Sequence, residues 1–125
     1  MSEMEPTILI VEDDSCARQL IFFTLSKLGY RVLDAANGEE GLEAYRQSPG
    51  VDLVITDILM PRMNGIEMSL EILAINPEQK YLFISGFQGE ERIPESLKNK
   101  SIFLPKPLDL YRLSRKIRQL LEAKV

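Results

Sequence analysis

The chain has 125 residues, 45 % of them hydrophobic and 27 % charged, the make-up of one globular domain with a core of its own. A formal net charge of −4 argues against binding nucleic acid through the overall field, and no apolar run approaches the roughly 20 residues that cross a bilayer. There is no histidine and a single cysteine, Cys16, which excludes a histidine-based triad, a histidine-ligated zinc, a phosphohistidine on this chain and an internal disulfide.

The N-terminal residues 1–6 are acidic and polar, unlike a signal peptide, and cytoplasmic placement is the expectation. Thr7–Val11 (TILIV) is a β-branched apolar run that predicts strand 1, and it ends abruptly in Glu12-Asp13-Asp14. Ser15 is positioned to cap the helix that follows. Leu20, Ile21, Thr24, Leu25 and Leu28 then recur at helical spacing, and Gly29 stops the helix as its C′ residue. Residues 30–35 (YRVLDA) predict a mixed strand 2 near the sheet edge. Asn37-Gly38 reads as a turn, and residues 39–47 as a helix burying Leu42, Ala44 and Tyr45.

Residues 52–56 predict strand 3, which ends on Asp57 and runs into Pro61 and the Asn64-Gly65 turn signal. Residues 65–74 predict a helix with Ile66, Leu70 and Leu73 on its buried face. Tyr81–Ser85 (YLFIS) predicts strand 4. Residues 89–99 predict the shortest and least stable helix, because Pro94 either starts it at its first position or kinks it. Residues 101–104 predict strand 5, leading into Pro105-Lys106-Pro107. Leu110, Leu113, Ile117, Leu120 and Leu121 mark a final helix. From Leu108 onward there are five bases (Arg112, Arg115, Lys116, Arg118, Lys124) against two acids (Asp109, Glu122), which reads as a solvated helix face.

Strict β-α alternation, five times over, implies one α/β domain of the flavodoxin-like (βα)5 class: a five-stranded parallel sheet with helices on both faces. The common five-stranded order is 2-1-3-4-5, with its switch point between strands 1 and 3. That order brings Glu12 and Asp13 beside Asp57. Two unit charges 4 Å apart repel by about 4 kcal/mol at a surface-like dielectric. A bound divalent cation or a raised pKa relieves such crowding, and an all-oxygen set with room for water suits Mg²⁺ better than a full Ca²⁺ cage. Ser85 and Lys106 end strands 4 and 5 on the same edge. Acids, a metal, a hydroxyl and an ammonium around one crevice form a site for a transferring phosphoryl group, with Asp57 as the nucleophile.

The pieces Val11-Glu12-Asp13-Asp14, Thr56-Asp57-Ile58-Leu59-Met60-Pro61-Arg62-Met63-Asn64-Gly65, Ile84-Ser85-Gly86 and Leu104-Pro105-Lys106-Pro107 together resemble the response-regulator receiver domain of two-component phosphorelays, among them the chemotaxis regulators. The resemblance implies a receiver unit over residues 5–123 with no output domain. It implies Asp57 as phosphoacceptor, Asp13 as a direct Mg²⁺ ligand, Glu12 as a ligand through water, and the backbone carbonyl of Leu59 as a further ligand. Asp14 falls at a helix start instead. The resemblance makes Ser85 the switch hydroxyl, Lys106 the cation that pairs with the phosphoryl group, Phe103 the switch aromatic, and the Lys106–Pro107 bond cis. Glu12 stands where Asp is commoner, and Phe103 lacks the hydroxyl that many members carry. Leu59 and Phe87, each two residues beyond a site residue, are apolar where fast-hydrolysing members carry polar groups, which implies slow self-dephosphorylation.

The implied partner is a phosphohistidine-bearing sensor kinase or phosphotransfer protein. Output runs through helix 4, strand 5 and helix 5 to an unidentified protein, from a monomer or weak dimer. On this reading the protein is no turnover enzyme; it catalyses only its own phosphorylation and slow dephosphorylation. Three alternatives stand beside it: a receiver excised from a hybrid sensor kinase or larger regulator, a Mg²⁺-dependent phosphatase with an aspartyl nucleophile, and a binding module that is never phosphorylated. Residues 81–87 are similar to receivers of hybrid kinases. The chain is too short to supply the cap that such phosphatases need, and the intact set of Asp13, Asp57, Ser85 and Lys106 argues against the binding module.

Overall fold

The computed structural model describes residues 5–86 and 88–122. Strands β1 (Thr7–Val11), β2 (Arg31–Ala35), β3 (Leu53–Asp57), β4 (Tyr81–Ser85) and β5 (Ser101–Pro105) alternate with helices α1 (Ser15–Lys27), α2 (Gly38–Gln47), α3 (Gly65–Ile75), α4 (Glu95–Lys98) and α5 (Leu110–Glu122). All pairings are parallel, in the order β2-β1-β3-β4-β5. This is the predicted flavodoxin-like arrangement, with β2 at an edge. Among the described residues no helix is long and apolar enough to cross a membrane. The expected domain end at residue 123 lies outside the described residues.

Successive side chains of a strand point to opposite faces, so the apolar runs feed two cores. Leu9, Val11, Val54, Tyr81 and Phe83 pack with Leu42 and Tyr45 of α2, Met68 and Ile72 of α3, and Leu97 of α4. Ile8, Ile10, Leu53, Ile55, Leu82 and Ile84 pack with Ile21 and Leu25 of α1 and with Leu113, Ile117 and Leu120 of α5. Each such side chain contributes about 1.5–3 kcal/mol relative to exposure. Every residue of β3 is buried, Asp57 included. A carboxylate in that position costs stability unless it is paired.

Local details depart from the sequence expectation in five places. Asp14, not Ser15, caps α1; its carboxylate accepts the Cys16 N–H at 3.0 Å. Leu20 and Leu28 of the expected α1 face are 54 % exposed, because the inward stripe is the narrower one through Ile21 and Leu25. Gly29 does follow the helix in a left-handed conformation, φ 98°. In α3 the buried positions are Gly65, Met68, Ser69 and Ile72. Leu70 is exposed, while Ile66 and Leu73 pack only at the margin. The helix is apolar on most sides, so periodicity could not choose its face. Contact of Gly65 with the end of β3 chooses it, since positions 65, 68 and 72 share one side.

The fourth departure is at Pro94, which is the N-cap of a four-residue α4 rather than its first helical residue. Ile93 before it is extended (ψ 117°), as a residue preceding proline prefers. Glu90–Arg92 forms a separate 3₁₀ turn. The two Asn-Gly pairs are not free turns. Asn37 and Asn64 cap α2 and α3, and Asn64 exchanges hydrogen bonds with Glu67 in a capping box.

Candidate functional site

The carboxyl ends of four strands meet at one edge of the sheet, where β1 and β3 lie side by side and their following helices go to opposite faces. β1 delivers Glu12 and Asp13, β3 delivers Asp57, β4 delivers Ser85 and β5 delivers Lys106. Oxygens of Glu12, Asp13 and Asp57 lie within 4.8 Å of one another. Glu12 and Asp57 are buried, with 3 % and 4 % of their surface exposed, and Asp13 is open to solvent.

Each group is held by its own strand or loop. The Asp57 Oδ1 accepts the Leu59 N–H at 3.2 Å and its Oδ2 accepts Lys106 Nζ at 2.6 Å. The Ile58 N–H donates to Ile84 O and the Gly65 N–H to Ile58 O, folding the β3–α3 segment back on the sheet. Lys106 is set by its own N–H, which donates to Ser85 O at 2.8 Å, and its bond to Pro107 is cis, as expected. Its Nζ also stands 3.8 Å from Glu12 Oε1. The other Glu12 oxygen accepts the Asp14 N–H at 3.0 Å. The Ser85 Oγ is buried and has no hydrogen-bond partner among the described residues. Such an orphan costs free energy in the state that leaves it unpaired.

The charges are unbalanced. Burial is the main reason that the Glu12 carboxyl titrates above its ordinary range; the charges of Asp57 and Asp13 add to the shift, while the Asp14 N–H and Lys106 oppose it. Burial pulls the Lys106 ammonium down, but its hydrogen bond to Asp57 and the charges of Asp57, Glu12 and Asp13 outweigh that and hold it above its ordinary value. One ammonium therefore faces three acids. An all-oxygen donor set with surplus negative charge fits a hard divalent cation, so the residues present suit Mg²⁺.

The structure brings together Glu12, Asp13, Asp57 and Lys106, and places Ser85 at the end of the neighbouring strand. Phe103 sits apart, half-buried on β5 opposite Phe83. It lines a groove of about 450 Å³ with Glu90, Glu91, Ile93, Lys98 and Ser101. Phe87 lies outside the described residues. Sequence reasoning missed Arg18. Its guanidinium donates to the Glu12 carbonyl at 2.7 Å and pairs with Asp34 of β2 at 3.3 Å, pinning the corner that carries the acids. No motif marks this contact, because it joins a helix to a strand end six residues back.

Residues 8–118 match the family model for the response regulator receiver domain. The chain is 36 % identical over 117 residues to the response regulator receiver protein CpdR of Brucella abortus (strain 2308), covering 93 % of this chain and 97 % of that protein. It is also 36 % identical over 119 residues to the sensor kinase CckA of the same organism, covering 93 % of this chain but 12 % of the kinase. A crystal structure of a response regulator receiver domain protein from Clostridium thermocellum superposes with a TM-score of 0.86 at 30 % identity, over 95 % of this chain and 96 % of that one.

Proposed function

Because the chain belongs to the response-regulator receiver domain family, a family of signalling switches, we propose that Asp57 is its phosphoacceptor and that the donor is a phosphohistidine on a sensor kinase or phosphotransfer protein. The observation that carries this reading is the pairing of a buried Asp57 carboxylate with Lys106 at 2.6 Å beside two further acids. A carboxylate oxygen of Asp57 attacks the phosphorus. The P–N bond to the donor imidazole breaks, its electron pair returns to nitrogen, and an acyl phosphate forms on Asp57. Lys106 passes from the carboxylate to a phosphoryl oxygen, and Ser85 Oγ donates to another. Glu12, Asp13, Asp57 and the Leu59 carbonyl would hold Mg²⁺, which supplies charge neutralisation at the phosphoryl oxygens. Movement of Ser85 lets Phe103 turn inward over β5 and reshapes the surface of α4, β5 and α5.

Residues 5–123 form the receiver unit on this reading, acting in the cytoplasm as a monomer or weak dimer. The likeness to the kinase CckA supports a second reading, in which the same unit is the receiver portion of a hybrid sensor kinase. The test of the phosphoacceptor is intact mass after incubation with acetyl phosphate and Mg²⁺. A gain of one phosphoryl group is expected, and none in Asp57→Asn. No gain in the unaltered protein, or an equal gain in the variant, overturns the assignment.

Leu59 bears on the lifetime of the acyl phosphate. Its side chain is half-exposed two residues beyond Asp57 and offers no group to orient an attacking water. Leu59→Asn is expected to shorten the lifetime by roughly tenfold, less than the roughly hundredfold or more from a positioned acid or base, because an amide orients the water without taking its proton. Loss of the phosphorylated mass after donor removal measures it, and an unchanged lifetime would sink the idea.

A further inference from the structure

Gly89 lies above Ser85 at the start of the 3₁₀ turn. A Cβ built on it would fall 2.3 Å from the Ser85 Cβ and 2.4 Å from its Oγ. Gly89 itself has an ordinary right-handed backbone, φ −66° and ψ −35°. Conformation therefore does not require glycine there; space does. Gly86, by contrast, has open space around its missing side chain. The Gly89 N–H donates to Gly86 O at 3.1 Å, and Gln88 takes a left-handed φ of 61° to close this turn. The backbone of residue 89 is thus the roof of the pocket in which the buried Ser85 hydroxyl, unpartnered among the described residues, rests, and the 3₁₀ turn Glu90–Arg92 begins directly behind that roof.

We propose that Gly89 is a positioning residue for Ser85: its missing side chain leaves the resting pocket open, so size at position 89 sets the balance between the resting and phosphoryl-bonded positions of the hydroxyl. The inference rests on the proposed role of Ser85. A side chain at 89 crowds the Ser85 Cβ in both states, which the turn must relieve by shifting, and crowds the Oγ in the resting state alone, because the hydroxyl turns away from the roof to reach the phosphoryl group. A ligand that binds one of two states better gains apparent affinity when the other state is destabilised. The same contact couples Ser85 to the turn, so that departure of the hydroxyl releases residues 89–92 toward the groove beside Phe103.

The experiment is titration with beryllofluoride and Mg²⁺, a phosphoryl mimic, followed by amide resonances. Gly89→Ala is expected to tighten binding by roughly fivefold, and Gly86→Ala to leave it unchanged. In a Ser85→Gly background, which removes both clashing atoms, Gly89→Ala is expected to have no effect. Unchanged or weaker binding in Gly89→Ala, or an equal gain in both backgrounds, overturns the inference. Should Gly89→Ala fail to fold, the unaltered protein and Ser85→Gly decide. Beryllofluoride must shift the amides of residues 89–92 in the first and not in the second. If the unaltered protein neither binds the mimic nor gains a phosphoryl group, it is the phosphoacceptor reading that fails, and the inference with it.

Discussion

Glu12→Gln is expected to melt about 4 °C higher than the unaltered protein at pH 7 in chelator, the shift that about 1 kcal/mol gives in a domain of this size, and to lose most of its response to Mg²⁺. Glu12 is buried, and burial is the main cause of its raised titration. A carboxyl whose proton is held more tightly in the folded state supports folding fully below its ordinary value of 4.5. That support is lost as pH rises through the raised folded value. At neutral pH the carboxyl therefore works against the fold when no cation answers it. Glutamine keeps the acceptor for the Asp14 N–H and removes the charge. Lys106 loses little, since its shorter bond is to Asp57, at 2.6 Å against 3.8 Å. With Mg²⁺ at 100 times its dissociation constant the unaltered protein gains about 2.7 kcal/mol; the variant, with one carboxylate fewer beside Asp13 and Asp57, is expected to gain far less. Melts at pH 7 and below pH 4.5, with chelator and with Mg²⁺, measure both effects, and the chelator difference must close at the lower pH. A variant that melts lower at pH 7 in chelator would show Glu12 to be a net stabiliser and the burial argument wrong.

What the sequence disclosed and what it withheld follow from how far each contact reaches. Strands buried on both faces need unbroken apolar runs, so β1, β3 and β4 stand out, and Glu12, Asp13, Asp57 and Ser85 show as polar residues at their ends. The 2-1-3-4-5 order then brings the acids together without further information. The buried face of α3 was hidden because Ile66, Leu70 and Leu73 are as apolar as Met68 and Ile72; the choice was made by Gly65 against β3, a contact between elements. Arg18 on the Glu12 carbonyl and Gly89 over Ser85 were hidden for the same reason. Each depends on where two backbones pass each other, which spacing along a single element does not encode. Asp14 displaced Ser15 as the cap of α1 by a local competition that both side chains could have won.

Gly65→Ala is expected to cost about 3 kcal/mol, lowering the melting temperature by roughly 12 °C, and to slow phosphorylation from acetyl phosphate by roughly a hundredfold, the penalty of a misplacement near 1 Å at a reacting group. A Cβ there would stand 2.2 Å from the Asp57 carbonyl oxygen and 2.9 Å from Thr56 Oγ1. The first of these is main chain, so no side-chain rotation relieves it. Either α3 withdraws, lifting Met68 and Ile72 out of the core, or the end of β3 yields and takes the Asp57 carboxylate with it. The Gly65 N–H to Ile58 O bond at 2.9 Å resists the first course, and pairing of Asp57 with Ile84 in the sheet resists the second. Denaturant melts and the phosphorylation rate of the folded fraction separate the two. A stability loss with a normal rate means that the helix moved. Loss of both means that the strand end moved and that Gly65 sets the position of the acceptor. Loss of neither would mean that the junction of β3 and α3 is soft, and that a rigid contact at Gly65 does not aim Asp57.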